Sequence, residues 1–137
     1  MSANLTPDGV TLDGRAVTYT SAVSASSNGS GAVNFDFGDL FAGDDSIMHV
    51  QASILGASTF EVSYIYVNCA KVSGQGIQNT FNTVSSYSAE GLSMTPTSYD
   101  YLGAGNNHGF RIACTGADAS SPYSCRIVVS RIGESST

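Results

Sequence analysis

Apolar residues recur at every second position along most of this chain. Val33, Phe35 and Phe37 alternate with Asn34 and Asp36, and Met48, Val50, Ala52 and Ile54 alternate with His49, Gln51 and Ser53. Phe110, Ile112 and Cys114 form a third set, and Cys125, Ile127 and Val129 a fourth. A period of two places such residues on one face of an extended strand, whereas a helix would scatter them around its circumference. The intervening positions agree with strands. Ser and Thr account for 33 of the 137 residues, with 15 Gly and 8 Asn besides. These are poor helix formers or turn formers, and the stretches between turns are rich in the β-branched and aromatic residues that favour strands. Coiled coils, helical bundles and collagen repeats are therefore excluded. No apolar run approaches the ~20 residues of a spanning helix. The length suits one domain with a real core.

About eight strands are expected, near residues 16–24, 32–37, 47–55, 59–72, 77–87, 92–102, 110–114 and 125–129, separated by Gly/Asn/Asp/Ser turns. This spacing predicts an all-β fold, a single antiparallel β-sandwich of jelly-roll-like type. Pro96 places its strand at an edge or a bulge. Residues 77–87 fit either period, and the Asn, Thr and Ser among them favour a strand. Residues 1–14 read as an extended N-terminal arm, with Thr6-Pro7-Asp8-Gly9 and Thr11-Leu12-Asp13-Gly14 as turns. The domain proper then spans 15–133, and 134–137 form a tail. Such an arm frays unless its own domain, a neighbouring copy or another protein holds it.

Two pairings follow from the pattern. A three-residue turn at Gly56-Ala57-Ser58 sets Val62 opposite Ala52, Tyr64 opposite Val50 and Tyr66 opposite Met48, making one face uniformly apolar. A closing hairpin sets Cys114 opposite Cys125, Ile112 opposite Ile127 and Phe110 opposite Val129. A disulfide between Cys114 and Cys125 is conceivable there, but reduced, adjacent thiols are the preferred reading, since three cysteines make a poor disulfide framework. The strand around Tyr64-Ile65-Tyr66-Val67 is apolar on both faces, so it lies centrally or has one face covered by another subunit.

Chemistry is harder to find. Five basic residues face eleven acidic ones, for a net charge of −6. The basic residues are dispersed, which argues against nucleic acid and against an anionic membrane as partners. Asp36, Asp39, Asp44 and Asp45 cluster around one loop but lack the spacing of a calcium loop and read as a solvated rim. His49 and His108 are tied to no nucleophile by their spacing, no G-x-S-x-G motif occurs, and no phosphate-binding loop is present. No catalytic residue, metal ligand or cofactor is assigned. Tyr99-Asp100-Tyr101 and Asn106-Asn107-His108 combine aromatic faces with amide and carboxylate groups, a combination that suits sugars, with Tyr99, Tyr101, Asn106, Asn107 and His108 as the candidate contacts.

The run Val33-Asn34-Phe35-Asp36-Phe37-Gly38-Asp39-Leu40-Phe41, the segment Gly109-Phe110-Arg111-Ile112-Ala113-Cys114 and the hydroxyl-rich, nearly Lys-free texture give the chain a resemblance. It resembles the small β-sandwich accessory proteins of tailed-bacteriophage virions, namely capsid cement or decoration proteins and tail-fibre or tail-tip modules. The resemblance implies a non-enzymatic virion structural protein that decorates or cements a capsid. It would associate with itself as a homotrimer and with a major capsid or other virion protein. The expected contact residues are Leu5, Val10 and Leu12 of the arm, with Ile65 and Val67 of the doubly apolar strand. The alternative is a receptor- or glycan-binding module of a tail fibre or tail tip, using Tyr99, Tyr101, Asn106, Asn107 and His108. Residues 1–9 show neither the basic nor the apolar region of a signal peptide, so a virion assembled in the host cytoplasm is the expected location.

Overall fold

In the computed structural model, residues 3–6, 9–12, 15–40, 46–56, 62–72, 76–77, 81–89, 91–100 and 109–134 are described. Eleven strands and no helix occur among them. In chain order they are β1 (Ala3–Thr6), β2 (Gly9–Leu12), β3 (Arg15–Ser26), β4 (Val33–Asp39), β5 (Ser46–Gly56), β6 (Val62–Val72), β7 (Gly76–Ile77), β8 (Asn82–Ser88), β9 (Ser93–Tyr99), β10 (Gly109–Thr115) and β11 (Pro122–Glu134). Eight of these, β3 to β6 and β8 to β11, are seven residues or longer and match the eight expected strands.

The strands form two antiparallel sheets. The larger runs β1-β2-β3-β11-β5-β6-β7, with β8 also paired to β6; the smaller runs β4-β10-β9. β9, which carries Pro96, lies at the edge of the small sheet, where a missing N–H donor is tolerated. The segment 1–14 contains β1 and β2, which pair with each other and continue the large sheet outward from β3.

The alternating residues fill a single core between the layers. β4 and β10 contribute Val33, Phe35, Phe110, Ile112 and Cys114. β5, β6 and β11 contribute Met48, Val50, Ala52, Ile54, Ile65, Val67, Cys69, Cys125, Ile127 and Val129. Each fully buried Ile or Phe of this set stabilises the fold by about 1.5–3 kcal/mol relative to exposure.

Two of the expected pairings are corrected. β10 and β11 form no hairpin: β10 pairs with β4 and β9, and β11 with β3 and β5. Phe110, Ile112, Cys114, Cys125, Ile127 and Val129 all point inward as the alternation requires, but they meet across the core from opposite sheets. Period-two alternation reports a face, not a partner. The three cysteines are free thiols.

The second correction is the β5–β6 register. Ala52 faces Ile65, Val50 faces Val67 and Met48 faces Cys69, a slip of three residues from the expected pairing. Residues 57–61, where the turn was placed, lie outside the described residues. An odd slip turns β6 over. Ser63, Ile65, Val67 and Cys69 become buried, while Val62, Tyr64 and Tyr66 face outward. Ile65, Val67 and Cys69 offer a face free of phenol hydroxyls, whereas burying Tyr64 and Tyr66 would demand two hydrogen-bond partners inside the core.

Two of the loops that carry the chain between the sheets are joined to each other. Residues 27–32 lead from β3 to β4, and residues 116–121 lead from β10 to β11. Ser27 N–H donates to the Ser121 carbonyl at 2.9 Å, Ala117 N–H to Gly31 O at 3.0 Å and Ser120 N–H to Asn28 O at 3.0 Å. The Ser27 hydroxyl accepts from Ser121 N–H at 2.9 Å and donates to the Asp118 carbonyl. Asn28 Oδ1 accepts from the N–H groups of Ser30 and Ala32 at 2.9 and 3.0 Å, which curls the first loop. The Tyr123 hydroxyl accepts from Asp118 N–H at 2.9 Å and fixes the second.

Candidate functional site: the outer face of the large sheet

The turned-over β6 creates an aromatic surface among the described residues. In the register, Arg126, Ser53, Tyr64 and Tyr87 form one row across β11, β5, β6 and β8. Val128, Gln51, Tyr66 and Ser85 form the next. Side chains in a row sit on strands ~4.8 Å apart and share one face. The tyrosine rings are in contact: Tyr64 and Tyr66 stack with centroids 5.3 Å apart and planes at 27°, and Tyr64 meets Tyr87 at 5.7 Å. His49 continues the series, 6.2 Å from Tyr66, and donates from Nδ1 to Asn68 Oδ1 at 2.9 Å. Tyr66 is 37% exposed and Tyr87 54%. A depression of about 270 Å³ opens beside them, lined by Gln51, Ser53, Val62, Tyr64, Tyr66, Arg126 and Val128. Its cause is local: Ser53, a short side chain, stands between two long ones, Arg126 and Tyr64. A second depression of about 210 Å³ lies further along β5 and β11, lined by Ser24, Leu55, Pro122, Tyr123 and Ser124.

Of the residues singled out from the sequence, Ile65 and Val67 cannot be contact residues. Both are 0% exposed and belong to the core, because the slip in register turns them inward. The strand does present an apolar outer face, but Val62, Tyr64 and Tyr66 carry it. Leu5 lies in β1, and Val10 and Leu12 in β2; their side chains are outside the described residues. Tyr101, Asn106, Asn107 and His108 also lie outside them.

Tyr99 is described, and it is engaged in the small sheet. Its hydroxyl accepts from Gly38 N–H at 3.0 Å, and the Arg111 guanidinium lies 4.8 Å above its ring. Arg111 in turn grips Asp36 through both carboxylate oxygens, at 2.6 and 3.0 Å. That hydrogen-bonded pairing with Asp36 raises the Arg111 guanidinium above its ordinary value. Asp36 is thereby occupied by a cation of the chain itself. Asp44 and Asp45 are outside the described residues, as is the side chain of Asp39. Among the described residues no three His, Cys, Asp or Glu side chains converge as a metal site. No described helix is long and apolar enough to cross a membrane.

The tyrosine face was missed in the sequence because the assumed register buried Tyr64 and Tyr66. The signal was present in the chemistry. Of two apolar faces on one strand, the one bearing phenol hydroxyls belongs to the solvent.

Searches against protein-family models and against curated proteins find no match. Among solved structures, the chain is similar to the tailspike protein of Acinetobacter phage vB_ApiP_P1. The TM-score is 0.45 at 10% identity, over 80% of this chain and 21% of that one. The chain thus spans about a fifth of that tailspike's length.

Proposed function

We propose that the protein is a non-enzymatic recognition module that binds glycans through the outer face of its large sheet, as a receptor-binding module of a phage tail fibre or tail tip would. The observation behind this reading is the tyrosine ladder, in which half-buried Tyr64 touches the rings of exposed Tyr66 and Tyr87 beside an open depression. Tyrosine rings offer flat apolar surface to the ring faces of a sugar, and Gln51 and Ser53 offer polar atoms to its hydroxyls. The resemblance of the sequence to virion accessory proteins supplies the phage setting.

The experiment is retention on host-surface polysaccharide. Tyr64→Ala and Tyr66→Ala should each weaken retention about tenfold, within the ~1–3 kcal/mol spanned by stacking and burial of one aromatic ring. Each variant also loses ring contacts worth about 0.5–1.5 kcal/mol per pair, so circular dichroism checks that the sheet is intact. Undiminished retention in the double variant would rule out this face.

The decorating role, with its homotrimer and capsid partner, draws on one specific feature: the β1–β2 hairpin that carries the large sheet past β3. Deleting residues 1–13 separates the readings. A decorating protein would lose particle attachment, while glycan retention through the tyrosine face would persist.

A further inference from the structure

This inference rests on the glycan-binding reading and adds the class of sugar. We infer that the depression between Arg126 and Tyr64 seats a carboxylate-bearing sugar unit of an acidic polysaccharide, with its ring face on Tyr64 and Tyr66 and its carboxylate on Arg126.

The first argument is charge. The chain carries −6 overall. Yet among the described side chains of the outer face, on β3, β5, β6, β8 and β11, the one charged group beside the tyrosines is Arg126, and no carboxylate accompanies it. The described carboxylates lie elsewhere. Asp36 is on the small sheet with Arg111, Asp118 is in the crossing loop, and Asp100 follows β9. Among the described side chains, this face offers an acidic polymer a cation with no carboxylate beside it.

The second argument is the state of the arginine. Arg111 has its fork filled by Asp36. The Arg126 guanidinium, by contrast, makes no hydrogen bond or ion pair with any described residue. A guanidinium presents donors in a geometry that matches a carboxylate in a two-bond pairing. The third argument is size and shape. About 270 Å³ falls just below the ~300–1,000 Å³ of enclosed small-molecule sites. The depression therefore holds one ring unit of a longer chain, not a whole enclosed ligand. Arg126 and Tyr64 stand two strands apart, about 10 Å, with the short Ser53 between them, so one unit can touch both. A single unit held this openly binds weakly, and a repeating polymer multiplies the contact where several copies of the module are linked.

The test is affinity electrophoresis of the full chain through gels containing polygalacturonate, alginate, hyaluronate or polysialate. Fully methyl-esterified polygalacturonate, which keeps the ring and removes the charge, and dextran serve as controls. At least one acidic polymer should retard the protein, and where that polymer is polygalacturonate its methyl ester should retard it about tenfold less. Arg126→Gln should lose about tenfold in retardation by the acidic polymer, the scale of one charge-assisted pairing. Arg126→Lys should fall in between, because it keeps the charge and loses the fork. Circular dichroism of both variants checks that the sheet is intact. Equal retardation by acid and ester, or no effect of Arg126→Gln, overturns this inference and leaves the glycan reading standing. Retardation by dextran alone does the same. No retardation by any polymer, and no retention on host polysaccharide, overturns both.

Discussion

Cys69, Cys114 and Cys125 place three thiols in the core, and their burial has a consequence for pH. Desolvation disfavours each thiolate, pushing Cys69 and Cys114 up to about 12 from an ordinary 9.0, and Cys125 higher still with added repulsion from Cys114. The folded chain therefore keeps protons that the unfolded chain gives up. This contribution to stability is fully present below pH 9 and is lost as pH rises from about 9 toward 12, since unfolding there releases protons. Urea midpoints measured from pH 8 to 10.5 should fall, and Cys125→Ala should fall less steeply than the parent. Parallel slopes for the two proteins would show that Cys125 is not shielded. Comparing slopes matters, because the substitution also removes packing and lowers stability at every pH. At this scale the sequence was informative in part: the alternation around Cys114 and Cys125 placed both on the inward face, whereas the burial of Cys69 and the exposure of Tyr66 depended on a register that spacing alone left open.

Between elements, the joined loops at 27–32 and 116–121 are where single residues matter most. Gly31 has φ +80, and a Cβ placed there would run into the backbone carbonyl of Ala117. Gly31→Ala should cost about 2–4 kcal/mol, the sum of a left-handed backbone penalty and a clash that no side-chain rotation relieves. Gly29, two residues earlier, has open space around it, so Gly29→Ala should stay within about 0.5 kcal/mol. Chemical denaturation of the two variants makes the comparison, and equal losses would place the strain elsewhere. The same loops explain why strands could be read from this chain while their partners could not. Alternation, with the helix-poor Asn, Thr and Ser deciding 77–87, located the eight long strands, and Pro96 marked an edge or a bulge. It could not distinguish Cys114 and Cys125 as neighbours in a hairpin from Cys114 and Cys125 as opposite walls of a core. Both arrangements bury the same six side chains. What decides is the ten-residue stretch from Thr115 to Ser124, which turns the chain across the sandwich through backbone hydrogen bonds to a loop some ninety residues earlier. Hydrogen bonds of that kind leave no period in a sequence.

The whole molecule is held by pairings between distant parts of the chain. Ser26 pairs with Pro122 and Thr18 with Ser130 in the large sheet, and Val33 pairs with Cys114 in the small one. Such contacts close long loops before they repay the lost chain entropy, so folding is slow for a protein of this size. Stopped-flow refolding followed by tyrosine fluorescence should show a main phase in milliseconds to seconds. Complete recovery within the dead time would contradict this topology. The strand orders β3-β11-β5 and β4-β10 set strands far apart in the chain side by side, while β5–β6 and β9–β10 are sequential neighbours. One end of the sandwich is buckled, with early and late chain fastened to each other across the layers. At that end the layers are bound like the spine of a book, and water approaching Cys114 and Cys125 from there must first break bonds between segments some ninety residues apart.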